Sequence, residues 1–179
     1  MPHIHTDNGH HDLTASAIII RTDTPEPTTM LHMHKKLNKF LQFGGHVELD
    51  ETPWQAINHE LKEESGYDLS QLYVLQPEKR VEFETPGLQH PIPVCLNTHP
   101  FNDEATHFHT DLTFALTTDQ APASKPAEGE SVDIRLFTKK ELLALPESDI
   151  HPDIRNIIIF VMDECMKTWE KVPTSKFGV

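Results

Sequence analysis

A helix with both of its ends marked lies between Thr52 and Gly66. Thr52 suits the N-cap, Pro53 the first helical position, Gln55 the reciprocal half of a capping box, and Gly66 the left-handed stop. The segment Pro53 to Ser65 is therefore expected to be helical, with side chains that sort at about 100° per residue. Trp54, Ile57 and Leu61 form an apolar stripe, Gln55, Asn58 and Lys62 face away, and Glu60, Glu63 and Glu64 gather along one edge beside the stripe. Like charges three and four residues apart repel by roughly a few tenths of a kcal/mol per exposed pair, so such an edge invites a counter-ion. A hard divalent cation meets that need: Mg²⁺ takes one or two carboxylates, keeps several waters and shares the rest of its shell with substrate phosphate. A solvated acidic face is the plain alternative.

Strand-like segments surround this helix. Thr14 to Arg21 carries the β-branched run Ile18-Ile19-Ile20, and Met30 to His34 alternates in character. Further strands are expected at Tyr73 to Leu75, Val81 to Glu84, Ile92 to Leu96, His107 to Leu116 and Ile134 to Phe137. The stretches TDTPEPTT (22–29) and QAPASKPAEGE (120–130) read as loops. Pro152 to about Lys171 places Ile154, Ile157, Ile158, Val161, Met162, Cys165 and Trp169 on one helical face, and a shorter helix is expected from Lys139 to Leu145. The pattern implies a mixed or antiparallel sheet with packed helices.

Length and composition narrow the function classes. The 179 residues suit one domain, 1–179, with a core from about 13 to 170 and a short polar N-terminal segment. At 37% hydrophobic and 24% charged the chain is not compositionally disordered. Against 28 acidic residues stand 15 basic ones, a formal net charge of −13, which argues against a grip on duplex nucleic acid or an anionic membrane; an anionic substrate needs a metal to bridge it. The longest apolar run, Ile157 to Met162, is far short of a membrane span. The opening MPHIHTDNGHHD has no apolar signal segment and the two cysteines make no disulfide framework, so a cytoplasmic setting is expected. Thirteen histidines are scattered, without a CxxC or HExxH pattern; a His-rich metal-binding protein would hold zinc or nickel even without the helix carboxylates.

Gly44-Gly45-His46-Val47-Glu48-Leu49-Asp50-Glu51 followed by TPWQAINHELKEESGY (52–67) resembles the Nudix box. Gly45, Glu51, Glu60, Leu61, Glu63, Glu64 and Gly66 stand at the family's spacing, while His59 replaces its Arg and Tyr67 its aliphatic residue. The resemblance implies an α/β fold, an α/β/α sandwich around a mixed sheet. It also implies hydrolysis of a nucleoside diphosphate linked to another group, by water attack on phosphorus with Mg²⁺, or Mn²⁺ in its place. The substrate would be a small nucleotide derivative such as a nucleotide sugar, ADP-ribose or a modified nucleoside triphosphate.

By that resemblance Glu60, Glu63 and Glu64 face the metal, with the Gly44 or Gly45 carbonyl adding a neutral oxygen and Glu51 supporting the cluster. The general base is either Glu63 in the box or a residue of the later loop, Glu128 or, preferred for its distance to the next strand, Glu130. His59 offers fewer donors than an arginine and can be neutral, so weakened or pH-sensitive activity is expected unless another basic group compensates. His107, His109 and Asp111 alternate along a strand and share a face, where they line the substrate cleft, bind a second metal, or simply meet solvent. Lys35 and Lys36 are candidates for substrate phosphate, Lys36 foremost, and Phe83, Phe101, Phe108 and Phe114 for base stacking. A non-catalytic nucleotide-binding regulatory domain is the rival reading, opposed by the intact glutamates. A homodimer stays open.

Overall fold

Two strands at the centre of the sheet run parallel, and they organise the rest. The computed structural model describes residues 7–82, 87–101 and 104–178. Strand β1 (His10–Arg21) pairs with β7 (His107–Thr118) through twelve consecutive residues, from His10 opposite His107 to Arg21 opposite Thr118. The outer edge of β1 is divided between two antiparallel partners. Thr14–Ala17 pair with β4 (Phe43–His46), and Ile19–Arg21 with β2 (Thr28–His34). The far edge of β7 is divided in the same way between β6 (Cys95–Pro100) and β5 (Tyr73–Gln76). Beyond these, β3 (Lys39–Leu41) and β8 (Ile134–Thr138) flank β2, and β9 (Glu170–Pro173) closes the other side against β5.

The box helix forms as its sequence demands. Helix α1 (Pro53–Glu60) begins at Thr52, whose hydroxyl accepts from the Gln55 N–H at 3.3 Å while the Gln55 side chain accepts from the Thr52 N–H at 2.9 Å. It continues as one wide π turn (Leu61–Ser65) and stops at Gly66 in the left-handed conformation, φ 76°. Wide turns of this kind recur at functional sites, and this one carries Glu63 and Glu64. Downstream, α2 (Lys139–Ala144) and α3 (Pro152–Phe160) follow, α3 likewise ending in a π turn (Val161–Cys165).

Each face of the sheet buries its own core. Ala15, Ala17 and Ile19 pack with Phe43, Trp54, Ile57, Leu61 and Phe114 under α1. Ile18 and Ile20, pointing the other way, pack with Leu31, Phe137, Leu142, Ile158 and Val161 under α2 and α3. The α/β fold with helices on both faces of a mixed sheet is thus the observed architecture. No helix among the described residues is long and apolar enough to cross a membrane.

Several expectations shift. Three strands were not legible: β3 and β4 are three and four residues long, β4 is half glycine, and β9 contains Pro173. The last helix stops at Thr168 rather than Lys171, because Trp169 turns to extended backbone and Glu170–Pro173 pair with β5. The strand expected at Ile92–Leu96 begins at Cys95, since Pro91 and Pro93 have no N–H to donate to a ladder. Val81 and Glu82 lie in no strand, and Phe83 and Glu84 fall outside the described residues.

The loop after β7 is bound to the end of the box helix. Tyr67 Oη donates to the Gln120 carbonyl at 2.7 Å, the Ser124 N–H to Gly66 at 3.1 Å, and the Ala127 N–H to Glu63 at 2.7 Å. A Cβ on Gly66 would stand 2.1 Å from the Ser124 carbonyl oxygen. Gly66→Ala therefore combines left-handed strain of about 1–3 kcal/mol with displacement of the loop. A fall in melting temperature of roughly 4 °C or more is expected by calorimetry. Gly129→Ala shares a positive φ but meets nothing within 4 Å, so it should lose less; equal losses would dissociate the loop contact from the effect.

Candidate active site

The three helix glutamates sit in three environments. Glu60 is 4% exposed, the Glu64 side chain 12% exposed, and Glu63 open to solvent. Glu64 accepts a hydrogen bond from the Gly44 N–H at 2.9 Å, which ties the π turn to β4. Gly44 has to be glycine: φ is 139°, and a Cβ there would come within 2.2 Å of the Ala15 carbonyl oxygen. The approach of β4 to β1 and the donor for Glu64 thus depend on one residue.

His59 links two carboxylates. Its Nδ1 is 2.9 Å from Glu51 Oε2 and its Nε2 3.5 Å from Glu60 Oε1, while Glu51 Oε1 accepts from the Glu48 N–H at 2.8 Å. The imidazole therefore spans the gap that the family's arginine would fill, and the other oxygen of Glu51 is held by the loop backbone. Beyond the 3.5 Å contact with His59, the buried Glu60 Oε1 has no hydrogen-bond partner among the described residues, which leaves it room for a further ligand.

Burial pushes the Glu60 carboxyl up to about 7, with repulsion from Glu63 and Glu130 added and His59 opposing. Burial likewise pushes Glu64 up to about 8, against the stabilising Gly44 N–H and with the charges of Glu60, Glu130 and Glu63 adding to the rise. Glu130, from the folded-back loop, is thereby within electrostatic reach of both. A set of carboxylates that raise one another's proton affinity, with an orphaned oxygen among them, fits a divalent cation. Beside them His32, held down to about 4 by burial, has its Nδ1 4.0 Å from Glu64 Oε1 and its ring centroid 5.2 Å from that of Phe43.

The remaining sequence candidates fall elsewhere. Lys36 is exposed in the turn after β2, and Lys35 Nζ donates to the Gly129 carbonyl next to Glu130. Asp111 is not grouped with His107 and His109; its carboxylate accepts from Thr14, Ser16 and Thr113 hydroxyls at 2.9, 2.7 and 2.7 Å. In its place Asp12, opposite His109 in the β1–β7 register, joins the two histidines. Phe114 is buried in the core under α1, Phe108 stacks on His11, and Phe101 leans on His109. Sequence reasoning missed Asp12 and His32, whose neighbours come from distant strands, and gave no role to His46 although it lies inside the motif.

The family model of the NUDIX domain matches residues 10–158. A NUDIX-family hydrolase from Clostridium perfringens superposes with a TM-score of 0.65 at 25% identity, covering 85% of this chain and 96% of its own. The Caenorhabditis elegans (C. elegans) Ap4A hydrolase gives 0.58 at 13%, covering 84% and 95%. The NUDIX domain of Shewanella oneidensis NrtR, solved with ADP ribose, gives 0.59 at 14%, covering 84% and 85%. The last two likenesses concern the fold alone. No curated protein matches the chain.

The raised carboxyls make stability depend on pH. Above its ordinary value of 4.5 each group has lost its proton in the unfolded chain but keeps it when folded, up to about 7 for Glu60 and about 8 for Glu64. The folded state then binds more protons, so stability falls as pH rises. His32 acts in the opposite sense, but its contribution is complete by the ordinary histidine value of 6.5. The metal-free melting temperature is expected to fall by a few degrees between about pH 6.5 and 8.5, and saturating Mg²⁺ or Mn²⁺ to flatten that fall. A flat or rising metal-free profile would contradict the burial of these charges.

Proposed function

The chain belongs to the NUDIX family of hydrolases, and from that premise we propose that it is a Mg²⁺- or Mn²⁺-dependent pyrophosphohydrolase of small nucleotide derivatives. The observation that carries this reading is the buried carboxylate pair Glu60 and Glu64, coupled electrostatically to Glu63 and Glu130, with a Glu60 oxygen whose one close partner is His59 at 3.5 Å. Glu60, Glu63 and Glu64 would hold the ion, with a carbonyl of Gly44 or Gly45. Bound there, a divalent cation supplies neutralisation of the pyrophosphate oxygens and acidification of water. In a chain of net charge −13 that neutralisation is also what admits an anionic substrate.

The chain's own residues do the rest. Glu130 takes the proton of the attacking water, supported by its place within reach of both buried carboxylates and by the loop's anchor from Ala127 to Glu63. Glu63, exposed on the π turn, is the rival base. His59 is a positioning residue: with Nδ1 on Glu51, its Nε2 faces Glu60 and sets that carboxylate's orientation. Lys36, near His34, is the position offered for substrate phosphate. The substrate class is a nucleotide joined through a phosphoanhydride to a second group. ADP-ribose, bound by the Shewanella domain, and Ap4A, named for the worm hydrolase, are two adenine-containing members of that class. Two free thiols, Cys95 and Cys165, suit a reducing cytoplasm.

Release of phosphate and nucleotide from ADP-ribose, Ap4A, nucleotide sugars and modified nucleoside triphosphates tests the reading. Turnover should require Mg²⁺ or Mn²⁺ and fall by about 10³-fold or more in Glu64→Gln, while Glu130→Gln loses about 10²–10⁴-fold in kcat with KM largely kept. Metal-independent turnover would overturn the role given to the cation, and nucleotide binding with no turnover would move the chain to a regulatory role. His59→Arg is expected to raise kcat and flatten its pH profile; no change in either would remove His59 from the positioning role.

A further inference from the structure

A second group of ligating side chains gathers away from the helix carboxylates. On β1, Asp12 shares the face of Thr14, Ser16 and Ile18, the face opposite α1. Its register partner is His109, His107 lies two residues back along β7, and His46 ends β4, which pairs with the same part of β1. Asp12 is 1% exposed. Its Oδ2 is 3.2 Å from His107 Nε2 and 3.4 Å from His46 Nε2. One ligand atom from each of Asp12, His107 and His109 lies within 4.8 Å of the others, and the His46 and His109 ring centroids are 4.9 Å apart.

The separations speak for a shared ion. A charge-assisted N–H···O bond runs at about 2.7–2.9 Å. The edge of a tetrahedron built on metal–ligand distances of about 2.0–2.1 Å is about 3.3–3.4 Å, which the two measured separations bracket. One buried carboxylate with two imidazoles is a nitrogen-rich set, suited to a borderline-soft transition ion and poorly suited to Mg²⁺. We propose that Asp12, His107 and His109 form a zinc-class metal centre, with His46 against Asp12 at its border and a fourth position open to water, distinct from the acidic edge of the box helix. His109 is only half-buried and gives the ion its entry, with Phe101 tilted against it at 4.9 Å and His99 at 5.8 Å between ring centroids. The centre ties β1 to β7, with His46 of β4 alongside, at the end of the sheet where β1 has not yet reached its apolar stretch. Asp111, on the same face two residues further, is excluded by its three hydroxyl donors. The inference stands independently of the hydrolytic reading.

Zinc itself is the probe, titrated calorimetrically into tag-free, chelator-stripped full-length chain in excess Mg²⁺. One equivalent is expected to bind and to raise the melting temperature, and Co²⁺ to give the visible spectrum of a four-coordinate site. Glu60→Gln/Glu64→Gln should bind zinc as the wild type does. His109→Gln and His107→Gln should weaken it by at least about 100-fold, with metal-free melting curves confirming that they fold; His109, half-buried, is the safer of the two. Absence of stoichiometric zinc in the wild type, loss of it with the helix carboxylates, or binding unchanged by His109→Gln would each overturn the proposal.

Discussion

Twelve register pairs between β1 and β7 are the constraint on which the molecule depends. The two strands are parallel, with paired residues 97 positions apart in the chain, and hydrogen-bonded on both edges. Helices cover both faces of their C-terminal halves, which explains the unbroken apolar run Ile18-Ile19-Ile20 in place of strict alternation. Outside the central pair each free edge is divided between two short antiparallel partners. Next to β1, β4 leads into the box loop, and the π turn that follows α1 brings Glu64 onto the Gly44 N–H. Without the β1–β7 register, neither β4 nor the helix it leads into has a fixed seat.

A folded chain that buries carboxylates works against its own stability, because desolvation and mutual repulsion both penalise the charged forms. The surroundings offset only part of this: one backbone N–H for Glu64, and an imidazole 3.5 Å away for Glu60. The neighbouring His32 adds no charge, since burial holds it neutral. The residue of unsatisfied charge is concentrated on two side chains instead of spread over the helix, and it is what gives this edge a use for a cation.

Local signals in the sequence predicted the helix down to its caps, because Thr52, Gln55 and Gly66 act through neighbours within a few positions. The long strands were legible too, since β-branched and aromatic runs fill them. Strands β3, β4 and β9 were not: with three or four residues, two glycines or a proline, they have no propensity of their own and exist because a neighbour offers an edge. In the site the motif spacing pointed to Glu60, Glu63 and Glu64, and the loop count to Glu130. Asp12 escaped because only the β1–β7 register sets it beside His109, and Asp111 drew attention through an i, i+2 pattern that its three hydroxyl partners explain structurally.

The exchange of arginine for His59 alters how the two carboxylates it serves are shared. A guanidinium carries five donors and stays charged, so it can satisfy Glu51 and Glu60 together. A neutral imidazole has one donor, and at 2.9 Å Glu51 is the closer claimant on it. Nε2 then presents a lone pair to Glu60 Oε1 at 3.5 Å, a contact that is favourable with the protonated carboxyl and unfavourable with the carboxylate. Only the imidazolium serves both acids at once. The exchange therefore leaves the buried Glu60 oxygen less fully satisfied than a guanidinium would.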